Sequence, residues 1–411
     1  MAKLLNITID GVSVPLIFEQ DNRLPLVSMR LIFQNAGALT DIKAGLAKLS
    51  SKLLGEGTKE QGSIAFAATL ESRAISLSAS VGAESFVVTL ESLKSEFDFG
   101  VASLRKLLDD PNYSDEAFSK IQSQTIGTLT QKQSDFDFVA SNQLKSILFA
   151  NTPREYPISG TVQSVDSITL EDIKTYINTY LGYDRVIATI GGDLSEDEAM
   201  SMVSNAIGGL AKVGTPAIQY INTSSKATQK TIYAKTEQAY IYFGAPYDMA
   251  YDSDEVYLGK VAAFVLGSSG FGSRLMEEIR VKRGLAYSAY ASFSVNKTAS
   301  YFSGHLQTKL DSGDEAKKVV QEVVDEFIAQ GITQEELDSA KLFLLGSEPL
   351  RTETLQQRVE RAFDEYYMSR ELGYKTLELK LIDDISLEQI NKFIAKHTEI
   401  ASISFSVLTA V

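Results

Sequence analysis

Ala44-Gly45-Leu46-Ala47-Lys48-Leu49-Ser50-Ser51-Lys52-Leu53-Leu54-Gly55-Glu56-Gly57-Thr58 is the stretch that decides the fold and the chemistry of this chain. Leu46, Leu49 and Leu53 recur at intervals of three and four, which puts them on one face of a helix and predicts that helix over Ala44 to Leu54. Lys48, Ser51 and Lys52 fall opposite that stripe. Without further context they read as a solvated face.

Working outward, Leu4 to Phe18 reads as a hairpin with Asp10-Gly11 at its turn, followed by a strand from Leu26 to Asn35. Ala74 to Val81 and Ser85 to Leu90 are further strand candidates, with helical patterns after them. The second part of the chain repeats the first. Val165-Asp166-Ser167-Ile168-Thr169-Leu170-Glu171-Asp172-Ile173 parallels Ile382-Asp383-Asp384-Ile385-Ser386-Leu387-Glu388-Gln389-Ile390, about 217 residues later. Each places a hydroxyl residue where it can cap a helix, and each runs on into a strand, Arg185 to Ile190 or Ile400 to Leu408. Ser114-Asp115-Glu116 and Thr333-Gln334-Glu335-Glu336 form a second pair of helix starts at nearly the same offset. The expectation is an α+β chain of two homologous mixed domains, 1–210 and 231–411, joined by a linker over 211–230. Each would be a mainly antiparallel sheet with helices on one face.

Composition narrows the function. A chain of 411 residues with 44% hydrophobic and 22% charged residues is long enough for two cores. A formal net charge of −14 argues against general nucleic-acid binding, which needs clustered Lys and Arg. The absence of Cys excludes thiolate metal sites, disulfides and cysteine nucleophiles. No apolar stretch is long enough to span a bilayer, so no membrane partner is expected. The expected location is the cytoplasm, or the periplasm if a signal peptide has been removed.

Gly45-Leu46-Ala47, then Leu53, Gly57 and Thr58, resembles the frame G-L-A-H-x-x-E-H-x-L-x-x-G-T of the pitrilysin and mitochondrial-processing-peptidase type of zinc peptidase, the inverzincins. In such a motif two His four residues apart grip one Zn²⁺, and the Glu activates the metal-bound water. At the first His position stands Lys48, at the Glu position Ser51, at the second His position Lys52. A protonated ammonium has no lone pair to give a metal. The resemblance places the third ligand, a Glu, about 76 residues further on. That count arrives at Thr128, with no carboxylate beside it. The chain's two His, His305 and His397, lie far from the frame.

A second signature survives. Gly267-Ser268-Ser269-Gly270-Phe271-Gly272-Ser273-Arg274-Leu275, followed by Arg280 and by Gly284-Leu285-Ala286-Tyr287, resembles the family's Gly-rich turn, S-R-L and R-x-x-x-G-L-x-Y. The resemblance implies that Arg280 and Tyr287 help bind substrate and stabilise the tetrahedral oxyanion, a task suited to a guanidinium and a phenol. It also implies that Gly267, Gly270 and Gly272 form a substrate or interface loop. The bland alternatives are a surface arginine beside Glu277 and a half-buried strand tyrosine.

Two-chain members of this family divide these parts, one subunit carrying zinc and the other the Arg/Tyr pair. The resemblance therefore implies a non-catalytic, substrate-binding subunit of a heterodimeric zinc endopeptidase. Such a chain binds no metal itself, is not catalytic alone, and pairs with an H-x-x-E-H subunit that holds the zinc. Its substrate would be an unstructured peptide. A purely structural scaffold, as in the core proteins of the respiratory bc1 complex, is the alternative. An independent hydrolase with a relocated site fits least.

Overall fold

Asp10 and Gly11 both adopt positive φ, 47° and 76°, which the tight turn between two strands of a hairpin requires and which only Gly and a few polar residues take up readily. That turn joins β1 (Lys3–Ile9) to β2 (Val12–Gln20), as the alternation of the sequence predicts. The computed structural model describes residues 2–411. With β3 (Leu26–Gln34), β4 (Ser76–Val81), β5 (Ser85–Leu93) and β6 (Val186–Gly192), the hairpin builds a six-stranded sheet of order β1-β2-β6-β3-β5-β4. All its pairs are antiparallel except β2 with β6. Every residue of β6 is buried, which explains its nearly continuous apolar run. One face of this sheet buries Leu16, Phe18, Leu31, Phe33 and Val88 in a core shared with Leu46, Leu49 and Leu53 of the helix Leu46–Leu54, and with Leu104 and Val203 of two others.

The second unit repeats this plan. Its strands are β7 (Gln229–Tyr233), β8 (Gln238–Pro246), β9 (Ala286–Val295), β10 (Ser300–Lys309) and β11 (Ser404–Thr409), in the order β7-β11-β8-β10-β9. Again there is one parallel pair, β7 with β11, which matches β2 with β6. Reading β2 as β7, β3 as β8, β4 as β9, β5 as β10 and β6 as β11 makes the two orders identical, with β1 the one addition. Two homologous α+β domains are therefore present. The capping residues behave alike too: Thr169, Thr333 and Ser386 each accept a bond from a backbone N–H in the first turn of their helix. The strand expected from Ile400 begins only at Ser404. Thr398–Ala401 forms a short 3-10 turn that buries Ile400, and an apolar run alone cannot tell such a turn from a strand.

The compact units do not follow the halves 1–210 and 231–411. Unit 1 comprises 1–131, 156–218 and 350–367, and unit 2 comprises 132–155, 219–349 and 368–411. The difference is a reciprocal exchange of one helix. Leu355–Tyr367, from the second half of the sequence, lies on β2 and β6, and Phe136–Leu148, from the first half, lies on β8 and β11. Each covers the sheet face that the main core leaves open. Gly191 makes room for the first, since a Cβ there would come within 3.2 Å of Leu355 and 3.1 Å of Val359. Gly244 does so for the second, beneath Leu148 and Leu144. The segment expected as a linker is pinned at both ends. Arg185 and Asp184 hold Gly214 and Val213 in unit 1, and Ile221 bonds Thr298 in unit 2.

Arg358 fixes the exchanged helix in unit 1, donating to Glu19 at 2.7 Å and to Asp21 at 2.8 Å. Glu19 is buried. The Arg23 guanidinium, with that of Arg358, holds the Asp21 carboxyl well below the usual carboxylate range. A lowered pKa in the folded state stabilises the fold above the unfolded value near 4, and that contribution is lost as pH falls. Arg358→Met is expected to lower the stability of unit 1 by about 2 kcal/mol or more, because it leaves a buried carboxylate without this partner. Urea titrations near pH 7 and near pH 3 should show a smaller difference at the lower pH.

Candidate functional site

The helix Leu46–Leu54 starts at Gly45, whose φ of 94° sets the chain into its first turn. Asp41 caps it by accepting bonds from the N–H groups of Gly45 and Ala47, both at 2.8 Å. Burial pushes the Asp41 carboxyl up to about 7, against the pull of those N–H groups. Leu46, Leu49 and Leu53 face the core as the periodicity requires. The opposite face is not simply solvated, however. Ser51 is only 2% exposed and returns its hydroxyl to the Lys48 carbonyl at 2.8 Å. Lys52 donates from Nζ to Thr125 Oγ1 at 2.8 Å, reaching the helix Asp115–Lys132. Lys48 is half-buried, and its side chain makes no hydrogen bond or ion pair among the described residues.

Thr125 is buried at 3%, whereas Thr128 is exposed and bonds the Gln124 carbonyl of its own helix. Of the four positions picked out by the family frame, the structure brings Lys48, Ser51 and Lys52 together. Thr128 it turns outward. The residue across from Lys52 is Thr125, one turn earlier, which a count of residues along a connecting chain cannot register. Among the described residues, no three His, Asp or Glu side chains converge to hold a metal ion. Neither His belongs to unit 1, where these helices lie.

In unit 2 the Gly-rich turn and the Arg/Tyr pair form one cluster. Gly267 lies against β9, where a Cβ would come within 2.8 Å of the Ala291 backbone, so its role is close packing. Gly270 and Gly272 take positive φ, 67° and 93°, and between them hold out Phe271, 69% exposed. Arg280 lies in the segment Glu277–Lys282, a wide π-helical turn of the kind that often accompanies function. Its guanidinium carbon sits 4.6 Å from the centre of the Phe271 ring and 4.3 Å from that of Tyr287. Both lie within the range of a cation–π contact. The side chain forms no hydrogen bond or ion pair among the described residues, Glu277 included. Its N–H groups are thus held in place and uncommitted.

Tyr287 is 81% exposed, not half-buried. A β-bulge explains this. Thr308 pairs with Ala286 and Leu306 with Ala289, so Tyr287 and Ser288 together oppose the single residue Gln307. Such an extra residue turns side chains out of their regular alternation. The neighbouring Arg274 is structural. It forms a two-point ion pair with Glu336, whose own carboxylate caps the helix Gln334–Gly346, and it also bonds the Gly331 carbonyl.

Fold and motif together define a protein with the architecture of a two-domain zinc peptidase and without the metal-binding side chains. The chain belongs to the insulinase family, M16: residues 17–162 match the family described as Insulinase (Peptidase family M16), and residues 167–344 match Peptidase M16 inactive domain. It is 41% identical over 402 residues to a Helicobacter pylori protein named Non-peptidase homolog YmxG, covering 98% of this chain and 93% of that one. A Bacillus subtilis protein named Uncharacterized zinc protease YmxG is 26% identical over 260 residues, 62% of this chain and 61% of that protein. In fold, it matches the crystal structure of a peptidase M16 inactive domain from Pseudomonas fluorescens with a TM-score of 0.90, 23% identity and coverage of 100% and 98%. A chain of complex III from Candida albicans matches with a TM-score of 0.80 at 13% identity, covering 99% and 95%.

The Lys52 contact carries a stability test. Lys52→Met should destabilise unit 1 by about 1.5–3 kcal/mol, the worth of a hydrogen bond to a charged donor. Lys48→Met should cost less than about 0.5 kcal/mol, as for a surface substitution. Urea unfolding of the two variants beside the parent chain measures both, and equal losses would contradict the assignment.

Proposed function

We propose that this chain is a non-catalytic, substrate-binding subunit of a heterodimeric zinc endopeptidase, and that it supplies Arg280 and Tyr287 to the zinc site of a partner carrying H-x-x-E-H. One observation carries the reading: Arg280 is clamped between two rings with its donors uncommitted, beside a Tyr that a bulge turns into solvent. A merely structural arginine would find a carboxylate, as Arg274 does. The retained pair matters because the metal positions hold Lys48, Ser51 and Lys52, which give this chain no catalysis of its own. The resemblance to a relative named as a non-peptidase homolog supports the same reading.

In this role the guanidinium and the phenol would donate to the oxygen of the scissile carbonyl as negative charge develops on it. The rings fix the guanidinium beforehand, so little reorganisation accompanies the reaction. The zinc and the attacking water belong to the partner.

The test is reconstitution with an H-x-x-E-H partner from the same source. Arg280→Ala should reduce kcat for peptide cleavage about 100-fold, and Tyr287→Phe about 10-fold or more, in the range for lost oxyanion donors. KM should change little. Unaltered turnover with both variants would favour a scaffold role, as the likeness in fold to the complex III chain would suggest.

A further inference from the structure

The turn from Gly270 to Ser273 is built to hold one side chain outward. At Gly270 and Gly272 no atom lies within 4 Å of where a Cβ would stand, so it is their positive φ and not a lack of space that calls for glycine. Ser273, fully buried, closes the turn by donating to the Gly270 carbonyl from its N–H at 3.1 Å and from Oγ at 2.8 Å. The residue presented in this way is Phe271. Its exposed ring makes one contact of note, with the guanidinium of Arg280.

Arg280 has another partner in reach along its own segment and does not use it. Glu277 precedes it by three residues, and side chains so spaced on a helical turn are neighbours, with about 5–6 Å between their Cβ atoms. The Glu277 carboxylate makes no hydrogen bond or ion pair among the described residues. Its neighbour Glu278, by contrast, takes both Lys282 at 2.5 Å and Arg283 at 2.6 Å. A half-buried carboxylate and a half-buried guanidinium thus stand a turn apart without pairing. The relative strengths of the contacts explain this. An ion pair of such spacing is worth about as much as one ring contact at a surface, so two rings outweigh the carboxylate and one ring does not.

We infer that Phe271 is a positioning residue, whose ring keeps the Arg280 guanidinium beside Tyr287 and off Glu277. The turn thereby sets whether Arg280 is available. With the Phe271 ring in place the donors stay uncommitted. With the ring withdrawn, the guanidinium turns to Glu277, and charge-assisted bonds to that carboxylate take up its donors. Resting on the function proposed above, Phe271 touches neither substrate nor metal and acts on turnover only through Arg280. An oxyanion would then have to displace Glu277 before it could be bound, and the advantage of a donor fixed in advance is lost.

The first test uses the full chain alone, with no partner or zinc. A crystal structure of Phe271→Ala should place the Arg280 guanidinium about 3 Å from the Glu277 carboxylate, at hydrogen-bond distance. A guanidinium that stays on Tyr287 while Glu277 remains unpaired would overturn the role given to Phe271. The second test is turnover of the reconstituted pair. Phe271→Ala should lower kcat about 5-fold, the equilibrium factor of one ring contact, with KM nearly constant. Phe271→Trp, which keeps a ring face, should stay within about 2-fold of the parent. Glu277→Gln added to Phe271→Ala should restore kcat, because the amide carries no charge to hold the guanidinium. Phe271→Ala added to Arg280→Ala should cost nothing further, as for two residues acting through one group. A kcat untouched by Phe271→Ala where Arg280→Ala lowers it, a loss that Glu277→Gln leaves uncorrected, or a loss that persists on top of Arg280→Ala would each contradict the positioning role. If Arg280→Ala itself leaves turnover intact, the catalytic reading fails, and the crystal structure still decides what Phe271 does to Arg280.

Discussion

The hydrogen bond from Lys52 to Thr125 joins two helices at the place where the family frame would set a metal. A half-buried ammonium would be costly without a partner, and a buried hydroxyl likewise, so each satisfies the other. With Ser51 turned back onto its own helix, the interior there is closed by polar contacts internal to unit 1. Lys52, which helps to close it, and the neighbouring Lys48 both repel a cation. The residues that stand in place of the metal-binding side chains thus also supply the polar contacts made there.

The second unit has been treated differently. Its signature residues differ: the Arg280 guanidinium lies against two rings and makes no hydrogen bond among the described residues, and Tyr287 stands outside the regular alternation of its strand because of the bulge opposite Gln307. The repeat accounts for the framework in which this happens. Equivalent strands recur in equivalent order, and each sheet's open face receives a helix from the other half of the sequence. In unit 2 that borrowed helix brings Asp137 to the sheet face, where it accepts from Tyr242 and Gln307, so the exchange supplies a charged group as well as cover.

Much of the fold was legible in the sequence, because its signals are local. Asp10-Gly11 specifies a turn, Thr169 and Thr333 specify helix starts, and Leu46, Leu49 and Leu53 specify a buried face. The frame around Lys48 and the run from Gly267 to Tyr287 identified the family for the same reason. What could not be read depends on contacts distant in sequence. Thr128 was selected by counting, whereas the facing residue is Thr125, and a shift of one helical turn leaves the count no mark. The helix exchange is equally silent, since Leu355–Tyr367 and Phe136–Leu148 look like ordinary amphipathic helices until Gly191 and Gly244 are seen beneath them. The bulge at Tyr287 depends on register with β10, and nothing in Ala286 to Ser288 alone announces it.

The central claim is that Arg280 and Tyr287 act on the transition state of a reaction whose metal lies in another chain. Its most direct measurement is the inhibition constant of a phosphinic peptide, a mimic of the tetrahedral intermediate, for the reconstituted pair carrying Arg280→Ala or Tyr287→Phe. If the pair stabilises the oxyanion, the inhibition constant rises in proportion to the fall in kcat/KM across the variants, while the affinity of the matching uncleaved peptide stays nearly constant. An inhibition constant unchanged by both substitutions would contradict the account.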